Sequence, residues 1–331
     1  MKLSLGIDIG SSSTKAAALD EHGTLLGTLQ VHADDPRTSA YGVLGRFLNQ
    51  QGASFGDVEK IVLTGLGSTY FHENIFGIPT IHALELDAIG RGGLYLSGLD
   101  EALVVSLGTG SAFIRASKTN GFRHLGGSGV GGGTLVGMAE RFLGVTDIFS
   151  LSKMALRGNK AMADLRIADV QEEDVPGLAA DLTAANFGRI KSGASDADLA
   201  AALFNMIYEN VGVMASLALS QDTTRNVVLT GSLASLAPAA KTFDIFNQMH
   251  DVFGIDYIIP PHPSSPRQSE RFYVILCRRT KITDGSQQIK GCDQGASCED
   301  KKVSQIKDDL FQVFTPDAEI IYHITAFEAV I

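Results

Sequence analysis

Four apolar runs of this chain end in turns of glycine and small hydroxyl residues, a pairing whose chemistry is anion binding. They are LSLGIDIGSSST (Leu3 to Thr14), IVLTGLGS (Ile61 to Ser68), LVVSLGTGS (Leu103 to Ser111) and VVLTGSLA (Val227 to Ala234). Glycine lets backbone N–H groups approach an anion without a Cβ in the way, and Ser or Thr adds hydroxyl donors beside them. Four such turns predict a site that grips a nucleoside triphosphate from several sides. In the first, Asp8 ends a buried strand, where an uncompensated carboxylate is costly. A hydrated Mg²⁺ near the phosphates would compensate it, with Gly10, Ser11, Ser12, Ser13 and Thr14 donating to phosphate oxygens and Lys15 closing the motif. The plainer alternative is an Asp that caps the following turn. In the third, Thr109, Gly110 and Ser111 would clasp the other side of the same phosphates, unless the glycines only open a hairpin.

Glu85, in HALELDA (His82 to Ala88), falls in the first turn of a predicted helix. A first-turn Glu is favoured by the helix dipole alone. It is also what phosphoryl transfer to an alcohol needs, a carboxylate that accepts the hydroxyl proton. Asp87 is the local competitor, and helical spacing turns it away from Glu85. GGSGVGGGT (Gly126 to Thr134) contains a literal GxGxxG, but no buried strand is read directly before it and no acidic residue follows at the dinucleotide-binding distance. A glycine-rich mouth that feeds a helix from Thr134 suits a nucleotide lip better, with the positive end of the helix toward the ligand. Arg123 and His124, just before that mouth, are either contacts to a substrate carboxylate or phosphate, or solvated loop residues. The histidines show no metal-ligand spacing.

The elements that must position these residues alternate. A strand over Lys2 to Asp8 leads to a hairpin, Lys15 to Asp20 and Thr24 to Val31, around Gly23. Asp35-Pro36 reads as a loop, Thr38 to Asn49 as a helix, Ile61 to Thr64 as a buried strand, and Leu84 to Leu96 as a helix. A second block opens at Ala102 as the first did, strand, turn, strand, which implies a duplicated architecture. Thr134 to Phe142, Ile148 to Leu156 and Asp196 to Leu219 read as helices. The last carries Leu199, Leu203, Met206 or Ile207, Asn210 and Met214 along one stripe. Arg225 to Thr230 and Ile255 to Ile259 read as strands.

The 331 residues suffice for two domains and an appendage. A net charge of −10 argues against nucleic-acid and anionic-membrane partners. The three cysteines, Cys277, Cys292 and Cys298, all follow residue 276, so no disulfide framework or Cys-rich metal site is read in the main body. No run approaches 18 uninterrupted apolar residues and the first residues do not read as a signal peptide, so a cytoplasmic protein is expected. Domains are expected at 1–100 and 101–263, followed by an atypical segment, 264–331, whose linker-like SSPRQS opening marks the boundary.

GIDIGSSSTK, SLGTGS and VVLTGSLA resemble the phosphate and adenosine loops of the actin-like ATPase and sugar-kinase superfamily. Within it, ELDA (Glu85 to Ala88), HLGGSGVGGGT (His124 to Thr134) and DLTAANFG (Asp181 to Gly188) are similar to type II pantothenate kinases, over roughly Lys2 to His262. The resemblance implies an α/β fold of two ribonuclease H-like domains with duplicated mixed sheets flanked by helices, and a nucleotide in the cleft between them. It implies that Glu85 is the catalytic carboxylate and Asp8 the Mg²⁺-associated aspartate. It makes Gly131, Gly132, Gly133, Thr134, Leu135 and Ser232 nucleotide contacts, and places Thr183 and Asn186 near the substrate and the partner of a homodimer. The implied reaction is ATP plus pantothenate to 4′-phosphopantothenate, the first step of coenzyme A synthesis. Bacterial relatives often carry Arg where this chain has His124 after Arg123, which leaves the carboxylate contact open. The segment after Pro261-His262-Pro263 does not match the family's closing helix. A sugar or other small-alcohol kinase, or an ATP-binding protein without kinase activity, stays open. An ATP-driven activator of a radical dehydratase also opens with a GIDIGSSSTK-like motif, but it needs cluster-binding cysteines in the central region, which has none.

Overall fold

Lys2, the strand it precedes and most of the chain after it are given by a computed structural model that describes residues 2–10, 13–32, 35–171 and 179–260. Ser11, Ser12 and the 264–331 segment lie outside the described residues. The first sheet holds β1 (Leu3–Ile9), β2 (Ser13–Leu19), β3 (Leu25–His32), β4 (Val58–Thr64) and β5 (Thr80–His82), in the order β3-β2-β1-β4-β5. β1, β2 and β3 are antiparallel neighbours, while β4 and β5 continue the sheet in parallel. β1 is central and buried on both faces, which is why it reads as a nearly unbroken apolar run and not as an alternation.

Helix α1 (Pro36–Gln51) begins where the sequence suggests a loop. Asp35 is its N-cap and accepts the Thr38 N–H at 2.6 Å, and Pro36 occupies the first turn, where a missing N–H costs nothing. The helix buries Val43, Leu44, Phe47 and Leu48 in the core that also holds Leu5, Ile7 and Ile61. Helix α2 (Glu85–Ser97) follows β5 and ends at Gly98, whose left-handed φ of 74° closes the last turn.

The second sheet repeats the plan with β6 (Glu101–Leu107), β7 (Ser111–Ser117) and β8 (Gly121–Ser128) antiparallel. Helices α3 (Gly132–Leu143) and α4 (Ile148–Ala155) follow, then the short antiparallel pair β9 (Leu165–Arg166) and β10 (Thr183–Ala185). Helix α5 (Asp196–Ala218), β11 (Asn226–Thr230), α6 (Ala237–Gln248) and β12 (Asp256–Ile258) complete it, and the sheet order is β12-β11-β6-β7-β8. Strand for strand this is the order of the first sheet, so the duplicated mixed-sheet architecture is present. Arg123 and His124, for which one of the two readings was solvated loop, lie with Leu125 inside β8, so a half-buried strand runs directly into the glycine-rich mouth. The glycines of β8 and its half-burial at the sheet edge weakened the apolar pattern.

Helix α5 starts at a capping box, Ser195 with Asp198. Its buried face runs through Ala200, Leu203, Phe204, Ile207, Tyr208, Val211 and Ala215. The expected stripe shared Leu203 and Ile207 with it but was rotated otherwise: Asn210 is exposed, and Leu199 and Met214 are only partly buried. Burial of Leu203, Phe204 and Ile207 stabilises by about 1.5–3 kcal/mol each. Tyr208 is fully buried as well, and its hydroxyl donates to the Leu233 carbonyl at 2.8 Å, so the polar end of the ring is satisfied. Among the described residues no helix is long and apolar enough to cross a membrane.

Candidate active site

A cleft of about 330 Å³ collects residues from both sheets. The first sheet contributes Asp8, Gly10, Ser13 and Lys15 from the β1–β2 hairpin and Leu66 from the turn after β4; Glu85, Leu86 and Ile89 come from α2. The second contributes Ser106, Gly108, Thr109, Gly110, Ser111 and Ala112 from the equivalent β6–β7 hairpin, with Ser128 from β8. Two topologically matched hairpins therefore face one space, each with glycine and hydroxyl residues at its tip.

Asp8 is 6% exposed, and its counter-charge comes from within the hairpin. Asp8 and Lys15 are direct cross-strand partners, and the Lys15 ammonium lies 3.2 Å from Asp8 Oδ2. The sequence reading gave this compensation to a metal alone. The two charges were legible as residue types within one motif, and the strand register supplies their pairing. Gly65, at φ 82°, packs against the same carboxylate: a methyl group there would sit 2.6 Å from Asp8 Oδ1 and from the Ile9 carbonyl oxygen. The chemistry of the site fits magnesium. Mg²⁺ keeps several waters and takes one or two carboxylates together with substrate phosphates, so one cleft-facing carboxylate beside an anion loop suffices. Among the described residues no group of three ligating side chains forms a protein cage.

Glu85 opens α2 and makes no hydrogen bond among the described residues. The residue is solvent-exposed and lines the cleft with Asp8 and Lys15. The water it loses to the cleft lining, first, and the charge of Asp8, second, raise its pKa above the usual carboxylate range, while Lys15 pulls it down. A cleft-facing carboxylate whose pKa is raised is a stronger proton acceptor than an ordinary one, as a general base requires.

The second hairpin loop is clamped by the glycine-rich mouth. The Gly132 N–H donates to the Gly108 carbonyl at 2.8 Å and the Gly133 N–H to the Thr109 carbonyl at 2.9 Å. Ser111 Oγ donates to the Val130 carbonyl at 2.7 Å, and Thr134 Oγ1 to the Gly129 carbonyl at 2.8 Å. So the first N–H groups of α3 hold the loop, and the Leu135 side chain is fully buried in the core. The glycines of the mouth serve close backbone packing: methyl groups at 110 and 131 would each meet backbone at 2.6 Å.

The remaining expected site residues lie away from the cleft lining. Ser232 is exposed after β11, in a turn held by the Leu233 N–H on the Leu107 carbonyl at 3.2 Å. Arg123 and His124 are consecutive in β8, so their side chains leave opposite faces of the sheet and cannot share one ligand group. Thr183 belongs to a polar network that the sequence reading missed. Asn205 of α5 donates to Asp164 at 3.1 Å and to Thr183 Oγ1 at 3.0 Å. Lys160 donates to Asn205 and to Glu209, each at 3.1 Å, and the Phe187 N–H donates to Asp164 at 2.9 Å. Burial is the main reason the Asp164 carboxyl is raised above its ordinary value, aided by the nearby Glu209 and opposed by the Phe187 N–H. Asn186 Nδ2 beside this network is buried without a partner among the described residues. The one sequence signal was Asn205 and Glu209 spaced by four among the apolar residues of the buried face of α5.

Two mixed five-stranded sheets of identical order, flanked by helices, define the actin-like ATPase fold. The fold is that of component A of (R)-2-hydroxyglutaryl-CoA dehydratase from Acidaminococcus fermentans, with TM-score 0.58 and 16% identity over 81% of this chain and 93% of that one. The activator of 2-hydroxyisocaproyl-CoA dehydratase from Clostridium difficile, a structure with bound ADPNP, matches with TM-score 0.56 and 17% identity, over 79% and 89% of the two chains. Identities this low carry the fold alone. The Fumble family model matches residues 101–253. The type II pantothenate kinase of Staphylococcus aureus strain USA300 is 31% identical over 230 residues, 65% of this chain and 83% of that one. This chain belongs to the type II pantothenate kinase family.

Proposed function

We propose that the protein phosphorylates pantothenate from ATP to give 4′-phosphopantothenate, the entry step of coenzyme A synthesis. One observation carries the reading: Glu85, with its raised pKa and no hydrogen-bond partner among the described residues, opens on a cleft walled by glycine–hydroxyl loops from both sheets. In the proposed step the acceptor hydroxyl gives its proton to Glu85 as its oxygen bonds to the γ-phosphorus of ATP. The bond from that phosphorus to the β–γ bridging oxygen breaks, and ADP leaves. The Gly10–Ser13 and Gly108–Ser111 turns would supply donors to the phosphates from the two sides, whereas Thr14, expected among them, is fully buried in β2 with its hydroxyl on Ser39 Oγ at 2.8 Å. Asp8 is the residue that would hold Mg²⁺, which when bound neutralises charge on the transferring phosphoryl group. Lys15 keeps Asp8 oriented and restrains the rise in the Glu85 pKa. Family membership supports pantothenate as the acceptor.

The expected homodimer belongs to the same proposal. Val213 and Leu217, 50% and 68% exposed on the face of α5 that also carries the exposed Asn210, support it, and a single-chain mass in equilibrium sedimentation would remove it. The test of the catalytic assignment is Glu85→Gln. Loss of the base should lower kcat by about 10²- to 10⁴-fold with ATP binding nearly intact. Near-normal turnover would assign the proton to another group.

A further inference from the structure

We propose that Leu66 is a specificity-determining residue, which reads an apolar branch next to the accepting hydroxyl and rejects polyhydroxylated acceptors. The inference rests on Glu85 being the base for that hydroxyl. Leu66 is a leucine 74% exposed to solvent, so the core does not require it. It nevertheless stands in a turn of fixed shape. Gly65 on one side packs on Asp8 and Ile9, and Gly67 on the other packs on the Ile9 side chain so closely that neither position accepts a methyl group. The Ser68 N–H closes the turn on the Gly65 carbonyl at 3.0 Å, and Thr69 Oγ1 donates to the Leu66 carbonyl at 2.8 Å. The turn thus presents the leucine side chain to the cleft at a defined place.

That place is beside Glu85. Leu63 and His82 are register partners of the parallel strands β4 and β5, and Leu66 and Glu85 each follow by three residues. The Ala83 N–H donates to the Leu63 carbonyl at 2.8 Å and Thr64 Oγ1 to the Ala83 carbonyl at 3.0 Å, so the two exits are tied together. Leu86 and Ile89, three apart on one face of α2, line the same cleft. While the first hairpin sets Asp8 and Lys15 near the base and the second carries the hydroxyls and amides of its loop, Leu66, Leu86 and Ile89 line the cleft beside the base with an apolar wall. An acceptor with a branched hydrocarbon group beside its reacting hydroxyl fits this wall. A hexose or glycerol would leave hydroxyl groups unpaired against it, at a cost of about tenfold or more in kcat/KM each.

The test compares the wild type with Leu66→Asn and Leu66→Met in steady-state ADP release with pantothenate, glycerol and glucose. The proposal predicts that Leu66→Asn raises the KM for pantothenate by about 10- to 100-fold, with kcat and the KM for ATP within about twofold of wild type. The preference for pantothenate over glycerol should shrink by the same factor, and Leu66→Met should behave as wild type. An unchanged pantothenate KM overturns it. So does a parallel rise in the KM for ATP, which would make Leu66 a support of the nucleotide loop. The melting temperature of Leu66→Asn should stay within about 2 °C of wild type, as for other exposed positions. If the wild type itself prefers glucose or glycerol, or turns over none of the three, the assignment of the reaction fails and this proposal falls with it. If only the variant comparison fails, the reaction stands and Leu66 has no part in specificity.

Discussion

Gly131 has φ −173°, ordinary extended backbone, so the need for glycine there is one of space. A methyl group at 131 would lie 2.6–2.7 Å from the Cα, carbonyl carbon and carbonyl oxygen of Gly110, where ordinary contact begins at 3.4 Å. Both surfaces are backbone, so no side chain can swing aside. In Gly131→Ala the glycine-rich mouth and the Gly108–Ser111 loop must part by about 0.7–0.8 Å, the overlap those distances imply. Such overpacking costs about 1–3 kcal/mol, or a fall in Tm of about 2–12 °C. The displacement falls on the Gly132–Gly108 and Gly133–Thr109 hydrogen bonds, which now measure 2.8 and 2.9 Å. With that loop holding ATP phosphates as proposed, a misplacement on that scale should cost about 10- to 100-fold in kcat/KM for ATP. Coupled ADP release at varied ATP, alongside thermal melting, measures both. Gly110→Ala strikes the same packing from the other side, against the Ser128 carbonyl, so the double variant should cost less than the sum of the singles. Gly131→Ala with wild-type Tm and kcat/KM for ATP would refute the clamp.

Two further outcomes follow from charge placement. Lys160→Met removes the ammonium that bridges Glu209 and Asn205 and leaves the 7%-exposed Glu209 without its cation. The expected loss is about 3–5 kcal/mol, or roughly 6–20 °C in Tm, partly recovered by adding Glu209→Gln, and an unchanged Tm counts against a structural role for the network. For pH, the base must be ionised, so turnover is lost as pH falls through the pKa of Glu85, which burial and Asp8 raise and Lys15 lowers. Deleting the lowering charge in Lys15→Met should move the acid limb of the kcat profile to higher pH; a limb that stays in place would show that another group controls it.

The parts of the fold written in local pattern were legible. The apolar runs ending in glycine gave β1, β4, β6 and β11, and the echo of the first hairpin in the second block gave the duplicated sheets. What escaped was set by tertiary context. Asp35-Pro36 carries the chemistry of a loop and of a helix start alike, and only the Asp35–Thr38 hydrogen bond decides. The phase of α5 was misread because small residues such as Ala200 and Ala215 line its buried face, while the larger Met206 and Met214 are only half-buried. In the site, residue type announced Asp8, Glu85 and the two phosphate-type loops. It could not announce that Ser111, Gly132 and Gly133 spend hydrogen-bonding groups on holding the loop, because their partners are remote in sequence. The Lys160–Asn205–Glu209 network joins residues 45 and 49 positions apart and was silent for the same reason.

ADP release by the wild-type protein with pantothenate, pantetheine, hexoses and glycerol, each compared with Glu85→Gln, tests the central claim most directly. The account predicts Mg²⁺-dependent turnover with pantothenate well above the hexoses and glycerol, abolished to about 10²- to 10⁴-fold lower kcat in Glu85→Gln. Turnover that favours a hexose or glycerol, or that survives in Glu85→Gln, would contradict it.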